Sequence, residues 1–161
     1  MEFSLTQKER MLLEDQKKHE KICIDKYTNY SNQAKDPQLK QIFNANAQSE
    51  ITHLNSINQL LTGSIPQMTQ QQNQGSGQPM GNQGSAGFTN SVASSSNSSD
   101  TDLCTDMLMT EKYVSGTYDT SIFEFKDTRV RDVLNHIQKE EQKHGEAIYQ
   151  YMDSKGLYNV Q

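Results

Sequence analysis

The chain has 161 residues, a formal net charge of −5 and only 32% hydrophobic residues. That length suffices for one domain with a real core, and the negative charge argues against nucleic acid or an anionic membrane as the main partner. No stretch approaches the length of a transmembrane helix, and the opening Met-Glu-Phe-Ser-Leu-Thr lacks the basic and apolar regions of a signal peptide, which predicts synthesis and folding in the cytosol without membrane insertion.

In chain order, Thr6 followed by Glu9 reads as a capping box before the first helix. Leu12, Leu13, Gln16, Glu20, Cys23, Tyr27, Tyr30 and Ala34 then recur at helical steps. Lys35-Asp36-Pro37 breaks the run, with Asp36 suited to an N-cap and Pro37 to the first helical position. The second helix carries Leu39, Ile42, Phe43, Asn46, Glu50, His53, Ile57 and Leu60, and Gly63 can end it in a left-handed conformation. From Gly63 to Asp100 the chain is rich in Gly, Ser, Gln and Asn, with few large apolar residues beyond Met68, Met80 and Phe88. Such a segment cannot bury enough surface to offset its ordering entropy and is predicted to be a flexible linker over 63–100. A third helix shows Leu103, Met107, Glu111, Val114, Tyr118, Ile122 and Phe125. Asp127 caps a fourth, marked by Val130, Val133, Leu134, Ile137, Glu141, His144, Ile148 and Tyr151, which Gly156 can stop.

The two helical pairs, 5–62 and 102–156, resemble each other. A shift of 91 positions sets Leu12 on Leu103, Glu20-Lys21 on Glu111-Lys112, Tyr27 on Tyr118, Lys35-Asp36 on Lys126-Asp127, Glu50 on Glu141 and His53 on His144 without a gap. An ungapped match of this extent reads as an internal repeat. Two repeated antiparallel helical hairpins, each helix with one apolar stripe, predict an all-α four-helix bundle spanning 1–161 as a single domain. The linker, about 30–35 Å across as a random coil, is long enough to cross over between the second and third helices.

Glu20, Glu50, Glu111 and Glu141 lie inside the apolar stripes, a costly place for an ionised group without compensation. Glu20 and Glu50 are equidistant from Lys35, and Glu111 and Glu141 from Lys126, so each pair stands at one height, roughly 20 Å from its turn. Glu50 with His53 and Glu141 with His144 share helix faces at i, i+3. All six should converge at the bundle's middle. One Glu from each of two helices and Glu-x-x-His from the other two is the di-metal carboxylate pattern. Two divalent ions would neutralise the mutually repelling carboxylates. Oxygen and imidazole ligands suit iron or manganese, with zinc less favoured. Tyr27 and Tyr118, seven residues after Glu20 and Glu111, could donate hydrogen bonds to the ligands. Duplication copies residues whether or not they are used, so a vestigial cluster or a protonated polar network is the plainer alternative. His19, His136, Glu14, Glu140 and Glu146 are expected on solvated faces, and Met107 and Met109 in core or edge packing. Tyr149, Tyr151 and Tyr158 are expected in packing or an interface, and Cys23 and Cys104 as small, buried or half-buried thiols.

The second repeat resembles the spore coat F family of endospore-forming bacteria. The likeness is carried by Met109-Thr-Glu-Lys-Tyr113, by Tyr118-Asp-Thr-Ser-Ile-Phe-Glu-Phe125, by the run from Glu140 through His144 to Met152, and by Lys155-Gly-Leu-Tyr158. The first repeat resembles a more divergent copy, through Glu20, Tyr27, Asp36-Pro37, Glu50 and His53. The resemblance implies a ferritin-like fold, synthesis in the mother-cell cytoplasm and deposition in the spore coat among other coat proteins. It carries the superfamily's ligand pattern onto Glu20, Glu50, His53, Glu111, Glu141 and His144. The polar linker departs from a typical ferritin-like crossover, nothing marks a cage interface, and no rubredoxin-like cysteine pairs are present. Three functions stay open: a coat building block that binds metal, a di-iron or di-manganese oxidoreductase acting on peroxide or dioxygen, and a metal-storage module. The Tyr-rich ends would suit a homo-oligomer.

Overall fold

The computed structural model describes residues 3–67 and 99–158, and most of the predicted linker lies outside them. The described residues form four helices and no strand: α1 (Gln7–Gln33), α2 (Pro37–Leu61), α3 (Asp100–Ile122) and α4 (Thr128–Ser154). None of these helices is long and apolar enough to cross a membrane.

Local chemistry sets the boundaries. Thr6 and Glu9 form the reciprocal capping box that opens α1, which satisfies two of the backbone donors a helix start leaves orphaned. Asp36 caps α2 by accepting from Gln38 N at 2.8 Å, with Pro37 inside the first turn. Ser99 and Asp102 make a second capping box for α3, and Asp127 caps α4. Gly63 and Gly156, at φ 83° and 67°, turn the chain out of α2 and α4 in the left-handed region that glycine tolerates. The sequence pattern carries the third helical run to Phe125, but α3 stops at Ile122. Glu124 N donates to Ser121 O and Phe125 N to Ile122 O. This tighter three-residue winding swings Phe125 inward, where it is buried with Val130, Val133 and Leu134.

α1 packs against α2 and α3 against α4 as antiparallel hairpins, and the hairpins join through α1 on α3 and α2 on α4. Gln16 bonds Ser121 at 2.9 Å, Lys26 bonds Thr110 at 2.8 Å and Tyr30 bonds Asp106 at 2.7 Å, so α1 and α3 also run antiparallel. Each hairpin caps the other's turn. Asp100, at the start of α3, accepts from Lys35 N and Asp36 N at 2.8 and 2.9 Å. Glu9, at the start of α1, accepts from Lys126 N at 3.0 Å. α2 therefore ends at the opposite end of the bundle from the start of α3.

Two apolar clusters fill the interior. One gathers Leu13, Ile57, Leu60, Tyr118, Phe125 and Leu134. The other gathers Tyr27, Leu39, Phe43, Leu103, Met107, Ile148 and Tyr151. Each fully buried aliphatic or aromatic side chain contributes about 1.5–3 kcal/mol of burial energy. Both cysteines are buried and free. Met107 is in the core, but Met109 is 66% exposed because it points off the outer face of α3. His19 is not simply solvated: it is half-buried, with Gln16 and Thr117 at hydrogen-bond distance of its ring. His136, Glu14 and Glu146 are exposed, while Glu140 is half-buried and paired with Lys143. Tyr149 meets Tyr158 edge to face at 4.9 Å between ring centres.

Asp36 also accepts from the Tyr151 hydroxyl and from Lys155 Nζ, each at 3.0 Å, tying the α1–α2 turn to α4. Asp36→Ala is expected to destabilise the fold by about 1–2 kcal/mol, measured by urea unfolding. Asp36→Asn should recover most of that loss, since an asparagine caps as well as an aspartate.

Candidate metal centre

Between the two apolar clusters lies a polar layer. Glu20 comes from α1, Glu50 and His53 from α2, Glu111 from α3, and Glu141 and His144 from α4. None is more than 5% exposed. The cause is the helical register: all six occupy stripe positions that otherwise hold Leu, Ile, Val and Tyr, at the same height in both hairpins.

The six form two overlapping groups. Glu20, Glu50, His53 and Glu141 offer ligand atoms within 4.8 Å of one another, and so do Glu50, Glu111, Glu141 and His144. Glu50 and Glu141 belong to both. His53 Nδ1 stands 3.0 Å from Glu50 Oε2, 3.1 Å from Glu141 Oε1 and 3.7 Å from Glu20 Oε2. His144 Nδ1 stands 3.2 Å from Glu50 Oε1, 3.3 Å from Glu141 Oε2 and 3.7 Å from Glu111 Oε1. The imidazoles stack 5.6 Å apart at 25°.

The outer carboxylates are held from across the hairpins. The Tyr27 hydroxyl donates to Glu111 and the Tyr118 hydroxyl to Glu20, so each tyrosine bonds the other hairpin's glutamate. Asn46 Nδ2 donates to the Tyr27 oxygen at 3.1 Å. Asn46 has no carboxylate or imidazole to mark it in the sequence. Its only signal is a polar side chain on the apolar stripe, one turn before Glu50.

Even with these bonds the layer is under-satisfied. Glu20 Oε2, Glu50 Oε1, Glu111 Oε2, Glu141 Oε2 and His144 Nδ1 are all buried without a hydrogen-bond partner. His144 Nδ1 is close to two carboxylate oxygens, yet the geometry is not that of a hydrogen bond. A buried polar atom left alone costs about 1–3 kcal/mol, more when charged, so these five call for protons or cations between them.

Without a cation, protons hold the layer together. Burial, then the charges of Glu141 and Glu50, push Glu20 well above the carboxylate range. Burial also lifts Glu111, to about 8, against the lowering effect of His144. Burial opposes charge on the imidazoles, but neighbouring carboxylates outweigh it. Glu141 and Glu50 bring His53 up to about 9, and Glu111, Glu141 and Glu50 bring His144 up to about 12. Burial would raise Glu141 too, but His144 and His53 hold it well below the usual range. Burial, then the adjacent glutamates, keeps both tyrosines protonated as donors. Two divalent ions could replace these protons. The donor set fits: two shared carboxylates, one outer carboxylate and one imidazole per position, with unpartnered lone pairs converging between them.

Residues 99–161 match the family model of the Coat F domain. The match covers α3, α4 and their connection, which supply Glu111, Tyr118, Glu141 and His144. Neither the curated proteins nor the solved structures include a match to this chain.

Proposed function

We propose that this is a spore coat protein built on a ferritin-like bundle, a duplicated hairpin forming one domain over 1–161, that binds two metal ions. The Coat F match over 99–161 supports the coat assignment. The observation that carries the metal reading is the pair of overlapping four-residue groups sharing Glu50 and Glu141, with buried oxygens and a nitrogen left unpartnered between them. Iron or manganese suits such a mixture, and zinc less so. Glu20, Glu50, His53 and Glu141 would hold one ion and Glu50, Glu111, Glu141 and His144 the other, with Glu50 and Glu141 common to both groups. Tyr118 and Tyr27 orient the outer carboxylates, fixing which oxygen stays free. The partners are other coat proteins.

The second reading is an oxidoreductase, favoured by the phenols bonded directly to the outer carboxylates. A bound di-iron or di-manganese pair would supply redox chemistry toward peroxide or dioxygen. The chain would contribute proton donors at Tyr27 and Tyr118 and a water-poor interior.

Elemental analysis after anaerobic reloading with Fe(II) or Mn(II) tests the binding. About two ions per chain are expected, and none in Glu50→Ala/Glu141→Ala, with helical circular dichroism retained. Failure of the wild type to hold stoichiometric metal would reduce the six residues to a relic in a coat building block. Where two ions do bind, peroxide consumption by the loaded protein separates turnover from storage.

A further inference from the structure

The metal layer is not sealed equally on all sides. A cavity of about 840 Å³ opens along the α3–α4 seam, and its lining runs from exposed Lys112 and Lys139 down to buried Glu111 and Glu141. A volume of this size accommodates a small organic molecule. Gly145 lines the opening and puts no side chain into it. A Cβ placed there would sit 4.0 Å from Glu111 Cβ and Leu108 Cδ2, in ordinary contact, so no steric clash demands the glycine. Glycine also weakens a helix interior, so its effect here is to leave space. Ninety-one positions earlier the first hairpin has Leu54, and opposite Ser115 of the second it has Ile24. Both Leu54 and Ile24 are half-buried and larger than their counterparts. The asymmetry is therefore written in two residue pairs.

The cavity's chemistry is also specific. Apolar surface dominates its wall, with Leu108 and Tyr149 along it. Among the described residues Lys112 and Lys139 take part in no ion pair, whereas the neighbouring Lys143 is held by Glu140 at 2.6 Å. Lys112 and Lys139 stand exposed at the mouth of an apolar slot whose one exposed lining carboxylate is Glu146, and an anion with an apolar body would meet both cations there.

The geometry points to the α3–α4 groove as a binding site for a small monocarboxylate with an aromatic or aliphatic body, its charged head at Lys112 and Lys139 and its uncharged end beside Glu111 and Glu141. This gives the metal site a solvent route and a ligand class, and in that sense rests on the metal reading. The groove itself exists without metal.

The test uses metal-free, nitrogen-15-labelled full chain titrated with benzoate. Saturable amide shifts are expected at Leu108, Gly145 and Tyr149. Gly145→Leu should weaken the affinity at least tenfold by installing the first hairpin's residue. Ser115→Ile supplies an independent plug if the leucine perturbs folding. Lys112→Ala/Lys139→Ala should weaken benzoate severalfold and leave the weaker binding of neutral benzyl alcohol unchanged. Absence of saturable shifts in the groove, or shifts that persist unchanged in both plugged variants, would overturn the proposal. Equal losses for benzoate and benzyl alcohol in the lysine variant would overturn the anionic class. Metal content is measured separately on the same wild-type preparation, so loss of the metal reading and loss of the groove are read from different experiments.

Discussion

Metal-free protein is expected to become less stable as the pH rises from 7 to 9, and Fe(II)- or Mn(II)-loaded protein to show the opposite slope. Unfolded glutamate and histidine titrate near 4.3 and 6.5. In the folded chain Glu111 is raised to about 8 and His53 to about 9, with Glu20 and His144 also displaced upward. Between pH 6.5 and these folded values, the native state therefore holds protons that the unfolded state has released. Stability falls with rising pH wherever the native state binds more protons, by about 1.4 kcal/mol per pH unit for each extra proton. The imidazolium contributions are fully present below the unfolded value and are lost as the pH passes the folded one. The depressed Glu141 acts in the acid range, outside this window. A loss of several kcal/mol across the two units follows. Metal reverses the sign because ligation requires the same groups deprotonated, so affinity and the stabilisation it brings grow with pH. Thermal melts at pH 7, 8 and 9, with and without metal, measure both slopes. A metal-free Tm that climbs over this range would contradict the proton-filled layer.

Glu141→Gln and Glu20→Gln should differ sharply in the metal-free state, although both glutamates are fully buried. Glu141 lies between the two imidazoles, which hold its carboxyl well below the usual range. Its neutralisation removes a counter-charge that faces both His53 and His144, and breaking a buried ion pair from one side costs about 3–5 kcal/mol. Glu20 already carries its proton, under burial and the repulsion of Glu141 and Glu50. A glutamine there keeps the shape and still accepts from Tyr118, so the change should stay within about 1 kcal/mol. Urea unfolding of the two variants at pH 7 decides the matter. Equal destabilisation would mean the layer's charge is not divided as described.

Much of this was legible in the residues because helices obey short-range rules. The Thr6–Glu9 box, Asp36-Pro37, Asp127, Gly63 and Gly156 each act through neighbours a few positions away, and α1, α2 and α4 start or end where they stand. Convergence of the six polar residues followed from equal distances to the turns, which is arithmetic on one hairpin at a time. Side-chain pairing between hairpins was beyond that arithmetic. That Tyr27 bonds Glu111 rather than its own hairpin's Glu20 depends on which helix faces which, and a repeat alone does not specify this. The early end of α3 escaped for a related reason: Phe125 continues the helical period but is drawn into the core by a tighter turn. Met109 lies near the apolar stripe by spacing, and its exposure reflects the width of the face that neighbours cover.

The antiparallel contact of α1 with α3 sets a lower limit on the length of the connection. Because α2 ends at one end of the bundle and α3 begins at the other, the backbone between them must travel the full height of α2, whose 25 residues rise about 37 Å. A fully extended chain covers that in about 11 residues, while residues 62–99 are available. Much of the segment could thus be deleted without changing the topology. Below the limit, the two hairpins of one polypeptide could no longer close on each other. Each would have to complete its bundle with the complementary hairpin of a second polypeptide, so that progressive shortening converts closure within one chain into domain-swapped dimers.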